Sequence, residues 1–206
     1  MRIDARRCPL VMVGAWNTAI FTPPFVGRVA MPGPEVPTLA MRVFPGGIAF
    51  EFTGPNFVLV VMNDRTIFRP HNLDDATLQA VETAADTLLG QLPLTPLAGM
   101  GINFGFDEPW DAGSPLARLL ESTDADLLNG AGASIRGTTV RRELELGGRV
   151  VNLTVARQAD EVVKVDLNFH TDIATAEQAR PLRGAITARK ADAVVFLGRV
   201  YGLTLP

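Results

Sequence analysis

Turn-forming residues recur at short intervals between apolar segments in the first half of the sequence, and this spacing constrains the fold more than any other feature. The turns are Pro45-Gly46-Gly47, Gly54-Pro55-Asn56 and Asn63-Asp64. The segments between and around them are 39–44, 48–53, 57–62 and 65–69. Loops this short can join only antiparallel neighbours, because a parallel connection needs a crossover of a dozen residues or more. The sequence therefore predicts an α+β protein built on antiparallel strands.

Two longer helices are predicted, one in each half of the chain. The first covers 74–90: Asp74 or Asp75 can cap it, an apolar stripe repeats at helical spacing, and Gly90 supplies a stop signal. That stripe is Leu78, Val81, Ala85, Leu88 and Leu89. The second is predicted to begin near Pro181 and to end at Gly202. Its stripe is Leu182, Ile186, Ala193, Leu197 and Val200, interrupted by Arg189.

The strand predicted at 97–106 has two unlike faces. Bulky apolar side chains alternate with small or polar residues along it. Gly99, Gly101 and Gly105 share one face with Asn103, so that face is an almost bare backbone. Glycine weakens a strand, so three glycines on one face indicate close approach by a packed element, a neighbouring protomer or a ligand. We therefore predict packing or interface backbone at these glycines.

The remaining elements repeat this plan after an acidic connector at 107–126. A short helix is predicted at 115–120. Three strands are then predicted at 134–146, 150–157 and 162–171, followed by the second helix. In the first half, the segment 22–37 contains five prolines and is predicted to be an irregular loop. The predicted fold is two antiparallel strand meanders, each covered by a helix, with the Gly-rich strand between them. The halves are 1–106 and 107–206, within one compact unit.

Composition excludes several classes of protein. The 206 residues are 47% hydrophobic and 20% charged, which is typical of a globular chain. The single cysteine, Cys8, excludes an intrachain disulfide and a cysteine-rich zinc site. No apolar run is long enough to span a membrane, and the run at 9–15 is too short for a signal peptide. The expected compartment is the cytoplasm.

A candidate binding face lies on the last predicted strand and just beyond it. Asp166, Asn168, His170 and Asp172 fall on one side, opposite apolar residues. A histidine with acidic neighbours can shuttle protons or bind a metal, but the same alternation is typical of the solvent face of any half-buried strand. We predict no catalytic set, no metal site and no cofactor, because the phosphate-binding and catalytic motifs with known spacing are absent.

A nucleic-acid surface is an alternative. Arg136, Arg142, Arg149 and Arg157 could cluster across the second meander. Few aromatic residues interleave with them, and the net charge is −3, so neither a stacking platform nor a basic field is indicated.

Two segments are similar to a family of bacterial proteins without an assigned activity. Residues 11–23, Val-Met-Val-Gly-Ala-Trp-Asn-Thr-Ala-Ile-Phe-Thr-Pro, resemble that family's opening strand followed by Gly, an aromatic and Asn-Pro-Ala-Ile-Phe. Residues 94–104 resemble its Thr-Pro-Val…Gly-Ile-Asn segment. Thr18 stands where the family usually has proline. From their chemistry, Asn17 and Asn103 are predicted to be buried structural amides that satisfy loop backbone.

The leading functional hypothesis is a non-enzymatic protein-interaction or assembly subunit that self-associates or binds a protein partner through a sheet face or edge. A bacterial multiprotein system, such as a defence system, is the expected setting. The alternatives are a small-molecule-binding protein or enzyme that uses the face of Asp166 to Asp172, and a nucleic-acid-binding component that uses the arginines.

Overall fold

The protein is a ten-stranded antiparallel sheet with six α-helices, seen in a computed structural model that describes residues 1–157, 161–181 and 184–205. The strands are β1 Arg2–Asp4, β2 Leu10–Gly14, β3 Thr38–Phe44, β4 Gly47–Thr53, β5 Phe57–Val61, β6 Arg65–Pro70, β7 Leu97–Pro109, β8 Thr138–Glu145, β9 Val150–Arg157 and β10 Val162–Thr171. The helices are α1 Pro23–Val29, α2 Asp75–Gln91, α3 Pro115–Leu120, α4 Ala125–Gly130, α5 Ala176–Ala179 and α6 Ala185–Tyr201. The predicted α+β class with antiparallel strands is confirmed.

One sheet holds all ten strands. Its order is β3-β4-β5-β6-β2-β7-β10-β9-β8, with β1 pairing with β7 beside β2. The hairpins β3 to β6 and the strands β8 to β10 are therefore the two wings of a single sheet, and β2 and β7 join them. The boundary predicted at residue 106 falls within β7, which continues to Pro109, so the first two acids of the predicted connector, Asp107 and Glu108, belong to this strand.

The apolar core of the described residues lies on one face of the sheet, which we call the core face. One side chain from each of nine strands forms a continuous row across it. In spatial order the row is Leu39, Phe52, Leu59, Phe68, Leu10, Ile102, Phe169, Val151 and Leu144. The helices α2 and α6 pack against each other and against β6 and β7 respectively, so their apolar sides close the core over the middle of this row.

Helix α2 forms as the sequence predicts. The Asp74 carboxylate accepts a hydrogen bond of 2.7 Å from the Thr77 amide, which satisfies one free donor of the first turn. This bond lowers the pKa of Asp74. The predicted stripe is buried throughout, from Leu78 to Leu89. The helix ends at Gln91, one residue after the predicted stop.

Helix α6 begins later than predicted and is capped by another helix. It starts at Ala185, after Gly184 in the left-handed conformation, and ends at Tyr201, with Gly202 as the C-terminal cap that the sequence predicts. Glu82 of α2 is 2% exposed, and its two oxygens accept hydrogen bonds from the amides of Gly184 at 2.6 Å and Ile186 at 2.7 Å. Because Gly184 has no side chain to cap the helix, Glu82 takes that role across the helix interface.

The stripe predicted for α6 is only partly correct. Ile186, Ala193 and Leu197 are buried, but Val200 is 50% exposed. Leu182 lies outside the described residues. Arg189, which interrupts the stripe, pairs with Asp192 at 2.5 Å and lies 5.9 Å from the centre of the Phe169 ring.

The prediction of an irregular loop at 22–37 was wrong in its first part, where α1 forms. The Thr22 hydroxyl accepts a hydrogen bond from the Phe25 amide at 3.4 Å and so caps this helix. Pro23 and Pro24 occupy the first helical positions, where an amide proton has no partner in any case. The short elements β1, α4 and α5 were not predicted. Among the described residues, no helix is both long and apolar enough to cross a membrane.

Candidate functional site

The predicted binding face of β10 is where alternation places it, on the face of the sheet opposite the core, which we call the outer face. Asp166, Asn168 and His170 are partly exposed, whereas the residues between them are buried. Asp172 lies just beyond the strand, and its carboxylate is 3.0 Å from Nε2 of His170. With Asp172 96% exposed, this pair is open to solvent. The remaining two residues have separate partners, so the four do not converge on one point.

Asp166 binds Arg7, which reaches it from the segment between β1 and β2. Between β1 and β2, five residues lie opposite only two residues of β7, so 5–9 bulge out over the outer face as a 3-10 turn. The Arg7 guanidinium therefore lies beside Gly105 of β7 and Asp166 of β10. It donates to Asp166 at 2.7 Å and to Asp107 at 2.6 Å, and it also contacts the carbonyl oxygen of Val165 at 3.4 Å. The Asp166 carboxylate, held by Arg7 in this way, has a structural role and is not a free general base.

The glycines of β7 make room for these side chains. A Cβ atom built on Gly105 would lie 2.4 Å from Cβ of Arg7. On Gly101 it would lie 2.6 Å from Nδ2 of Asn168, and on Gly99 it would lie 3.2 Å from Cε1 of His170. The bare side of β7 is therefore filled from within the chain, by the bulge and by side chains of β10.

Three asparagines stand in register across the outer face. Asn168 pairs with Asn152 of β9 on one side and with Asn103 of β7 on the other. The Asn168 amide donates to Oδ1 of Asn103 at 2.7 Å, and the Asn103 amide donates to the carbonyl oxygen of Pro9 at 3.0 Å. Asn103 therefore fastens the bulge to the sheet. An open depression of about 370 Å³ lies over this row, between the bulge and β9.

Three other groups, Asn17, His71 and Cys8, have local partners or are buried. Asn17 is exposed, not buried as predicted, and its side-chain oxygen accepts a hydrogen bond from the Ala19 amide at 3.1 Å. Nε2 of His71 is 2.9 Å from the carbonyl oxygen of Gly54. Cys8 is 3% exposed, and burial raises the pKa of its thiol to about 11, so it is a poor nucleophile. In the described ranges no three His, Cys, Asp or Glu side chains are placed to hold a metal ion.

The arginines proposed for nucleic acid are spread over separate surfaces. Arg136 precedes β8, and Arg149 lies in the turn after it. Arg142 pairs with Leu153, which is on the core face, so it projects away from the outer face. The Arg157 guanidinium stacks 3.7 Å from the centre of the Trp110 ring. The four do not form one basic patch.

The sequence interpretation missed an exposed apolar edge formed by the β3–β4 hairpin. All seven residues of β3 are exposed. Leu39, Met41 and Val43 are 42%, 62% and 74% exposed, and Ile48 of β4 is 46% exposed, although all four belong to the core face. The core row thus extends beyond the part of the sheet that the helices cover. Phe52 is 0% exposed, whereas its neighbour in the row, Leu39, is exposed to solvent. Alternation alone could have predicted this face, but nothing local marks β3 as an edge strand.

The opposite edge of the sheet has a different character. Half of β8 is charged, with Arg141, Arg142, Glu143 and Glu145, and α3 packs against it. Charged residues and a covering helix are common means of preventing a sheet edge from pairing with another strand. β3 has one charged residue, Arg42, and its flanking residues Pro37 and Pro45 limit the free edge to the strand itself.

Comparison of the chain with protein-family models finds no match, and comparison with curated protein sequences finds none either.

Proposed function

We propose that the protein is a non-enzymatic protein-interaction or assembly subunit that binds its partner through the β3–β4 hairpin. The observation that supports this most is the open end of the core row, where Leu39, Met41 and Val43 are exposed beside an unpaired strand edge. A contiguous apolar surface of this kind is typical of a protein-binding site. The unpaired backbone groups add hydrogen bonds, as in proteins that bind by adding a strand to a sheet.

The alternatives have less support. On the outer face, Arg7 binds one oxygen of the Asp166 carboxylate and Asn103 accepts a hydrogen bond from the Asn168 amide, which favours a structural role for both. A nucleic-acid surface would need the arginines on one side of the sheet, and they are divided between its faces and turns.

The experiment compares two double variants of equal added charge. Met41→Lys with Val43→Lys places two charges on the hairpin surface, where they oppose pairing. Leu94→Lys with Leu127→Lys is the control, at positions that are 93% and 77% exposed and lie outside the hairpin. Each tagged protein is isolated from the cells that naturally make it, and its mass is measured by light scattering after size exclusion.

We expect the wild type and the control to show the same assembly, by mass and by co-purifying proteins, and the hairpin variant to run as a monomer without them. Circular dichroism checks that the hairpin variant remains folded. A folded hairpin variant that keeps the whole assembly contradicts the proposal, and so does a wild type that is monomeric at high concentration with no co-purifying protein.

A further inference from the structure

The backbone of β3 determines which of its residues can pair with another strand. The hairpins on either side of β4 have two-residue loops, and the Gly54 amide donates to the carbonyl oxygen of Phe57 at 3.1 Å across the second loop. Successive residues of a strand direct their amide and carbonyl groups to alternate sides. It follows that the even-numbered residues of β4 bond to β5 and the odd-numbered ones bond to β3.

The free groups of β3 follow from the same alternation. Glu51 and Ala49 bond to Ala40 and Arg42, so these even-numbered residues of β3 use their backbone groups inside the hairpin. The amides and carbonyls of Leu39, Met41 and Val43 therefore point outward. These are also the residues with exposed apolar side chains.

We propose that a second copy of this chain pairs with β3 in an antiparallel register centred on Met41. The inference rests on the proposed function of the hairpin and specifies its partner. Met41 then faces Met41 of the second copy, and Leu39 faces Val43. A two-fold axis through this centre satisfies the outward groups of all three residues, with six hydrogen bonds.

Charge and proline select this register over its neighbours. A shift of two residues in one direction would place Arg42 directly opposite Arg42 of the second copy, and like charges directly opposite destabilise a strand pair. A shift in the other direction would bring Val43 opposite Pro37, which has no amide proton to donate. In the centred register, Arg42 faces Ala40, and its guanidinium keeps its bond of 2.9 Å to Glu51 of its own chain.

The pairing also extends the apolar row. Leu39 and Val43 of the two copies would lie side by side on the core face, next to Met41 and Ile48 of each. The row that ends at Leu39 in one chain would continue into the second chain, and a sheet of twenty strands would result. The charged edge at β8 would remain at each outer end, which closes the assembly as a dimer.

Disulfide trapping between two single variants tests the register. Ala40 and Arg42 form a non-hydrogen-bonded pair in the centred register, with Cα atoms about 4.5 Å apart, close enough for a disulfide. Ala40→Cys protein and Arg42→Cys protein, one of them carrying a size tag, are mixed and oxidised in a glutathione buffer. The same residue in the two copies is offset diagonally by about 7–8 Å, which is too far to bridge. The wild type, whose buried Cys8 is the only thiol, serves as the blank.

We expect cross-linked dimer with one chain of each kind, on the order of tenfold more than Ala40→Cys gives alone. Cross-linking of Ala40→Cys alone, in which both copies keep Arg42, indicates a shifted register and overturns the inference. So does the absence of any cross-link. If no cross-link forms but Met41→Lys with Val43→Lys still releases a co-purifying protein, the second copy is the wrong partner and the proposed function stands. If that variant releases nothing either, both are wrong.

Discussion

The contact between Glu82 and the start of α6 leads to a quantitative prediction. Glu82→Ala removes both acceptors from the amides of Gly184 and Ile186, and Glu82 is 2% exposed, so water reaches them poorly. A hydrogen bond to a charged group contributes about 1.5–3 kcal/mol. Loss of the two bonds should lower the free energy of unfolding by about 3–6 kcal/mol. For a chain of this size that corresponds to a fall in melting temperature on the order of 10 °C.

Urea denaturation followed by circular dichroism measures this change. Glu82→Gln keeps one acceptor and the side-chain size, and we expect it to lose about half as much. Glu143→Ala, at an exposed position on β8, is the control and should change stability by less than about 0.5 kcal/mol. Hydrogen exchange should also become faster at the amides of Gly184 and Ile186. A loss below about 1 kcal/mol for Glu82→Ala would refute the reasoning.

Two further predictions concern the outer face and its bulge. Gly105→Ala should lower stability by about 1–3 kcal/mol in urea denaturation, because its Cβ would lie 2.4 Å from Cβ of Arg7. The matched control is Gly90→Ala in α2, where no heavy atom lies within 4 Å of the new Cβ, and it should stabilise the protein by about 0.5–1 kcal/mol. Equal effects of Gly105→Ala and Gly90→Ala on stability would contradict the packing argument. Because burial raises the pKa of Cys8 to about 11, its thiol should resist Ellman's reagent at pH 8 and react fully in urea. Since the native state holds this proton more tightly than the unfolded chain, stability should fall as the pH rises from about 9 towards 11, and rapid labelling of the folded protein at pH 8 would contradict both statements.

Sequence reasoning succeeded where the information is local. The cap of α2 at Asp74 spans three residues, and the hairpin loops before Gly47 and Phe57 span two. The alternation of side chains in β10 correctly predicted that Asp166 and His170, four positions apart, lie on the same face of the sheet. In each case the determining contact lies within a few positions along the chain.

It failed where the contact is distant. The partner of Asp166 is Arg7, 159 positions away in sequence, and the bulge that places Arg7 depends on the register of two short strands with β7. The sequence also does not show whether β3 lies at an edge or in the middle of the sheet, because a strand has the same alternation of side chains in both positions. The candidate interaction surface could thus be found only from the sheet order.

The central position of β7 affects how the chain can fold during its synthesis. One edge of β7 is paired by β1 and β2, which are made before it, but the other edge is paired only by β10, which lies about sixty residues further on, or roughly 3–12 s of translation. During that time a nascent chain presents an open strand with Phe104 and Phe106 on its core face. Helix α6, which is made after β10, then closes the core against β7. We therefore expect ribosome-bound chains that end before β10 to bind chaperones, and chains extended through α6 to release them.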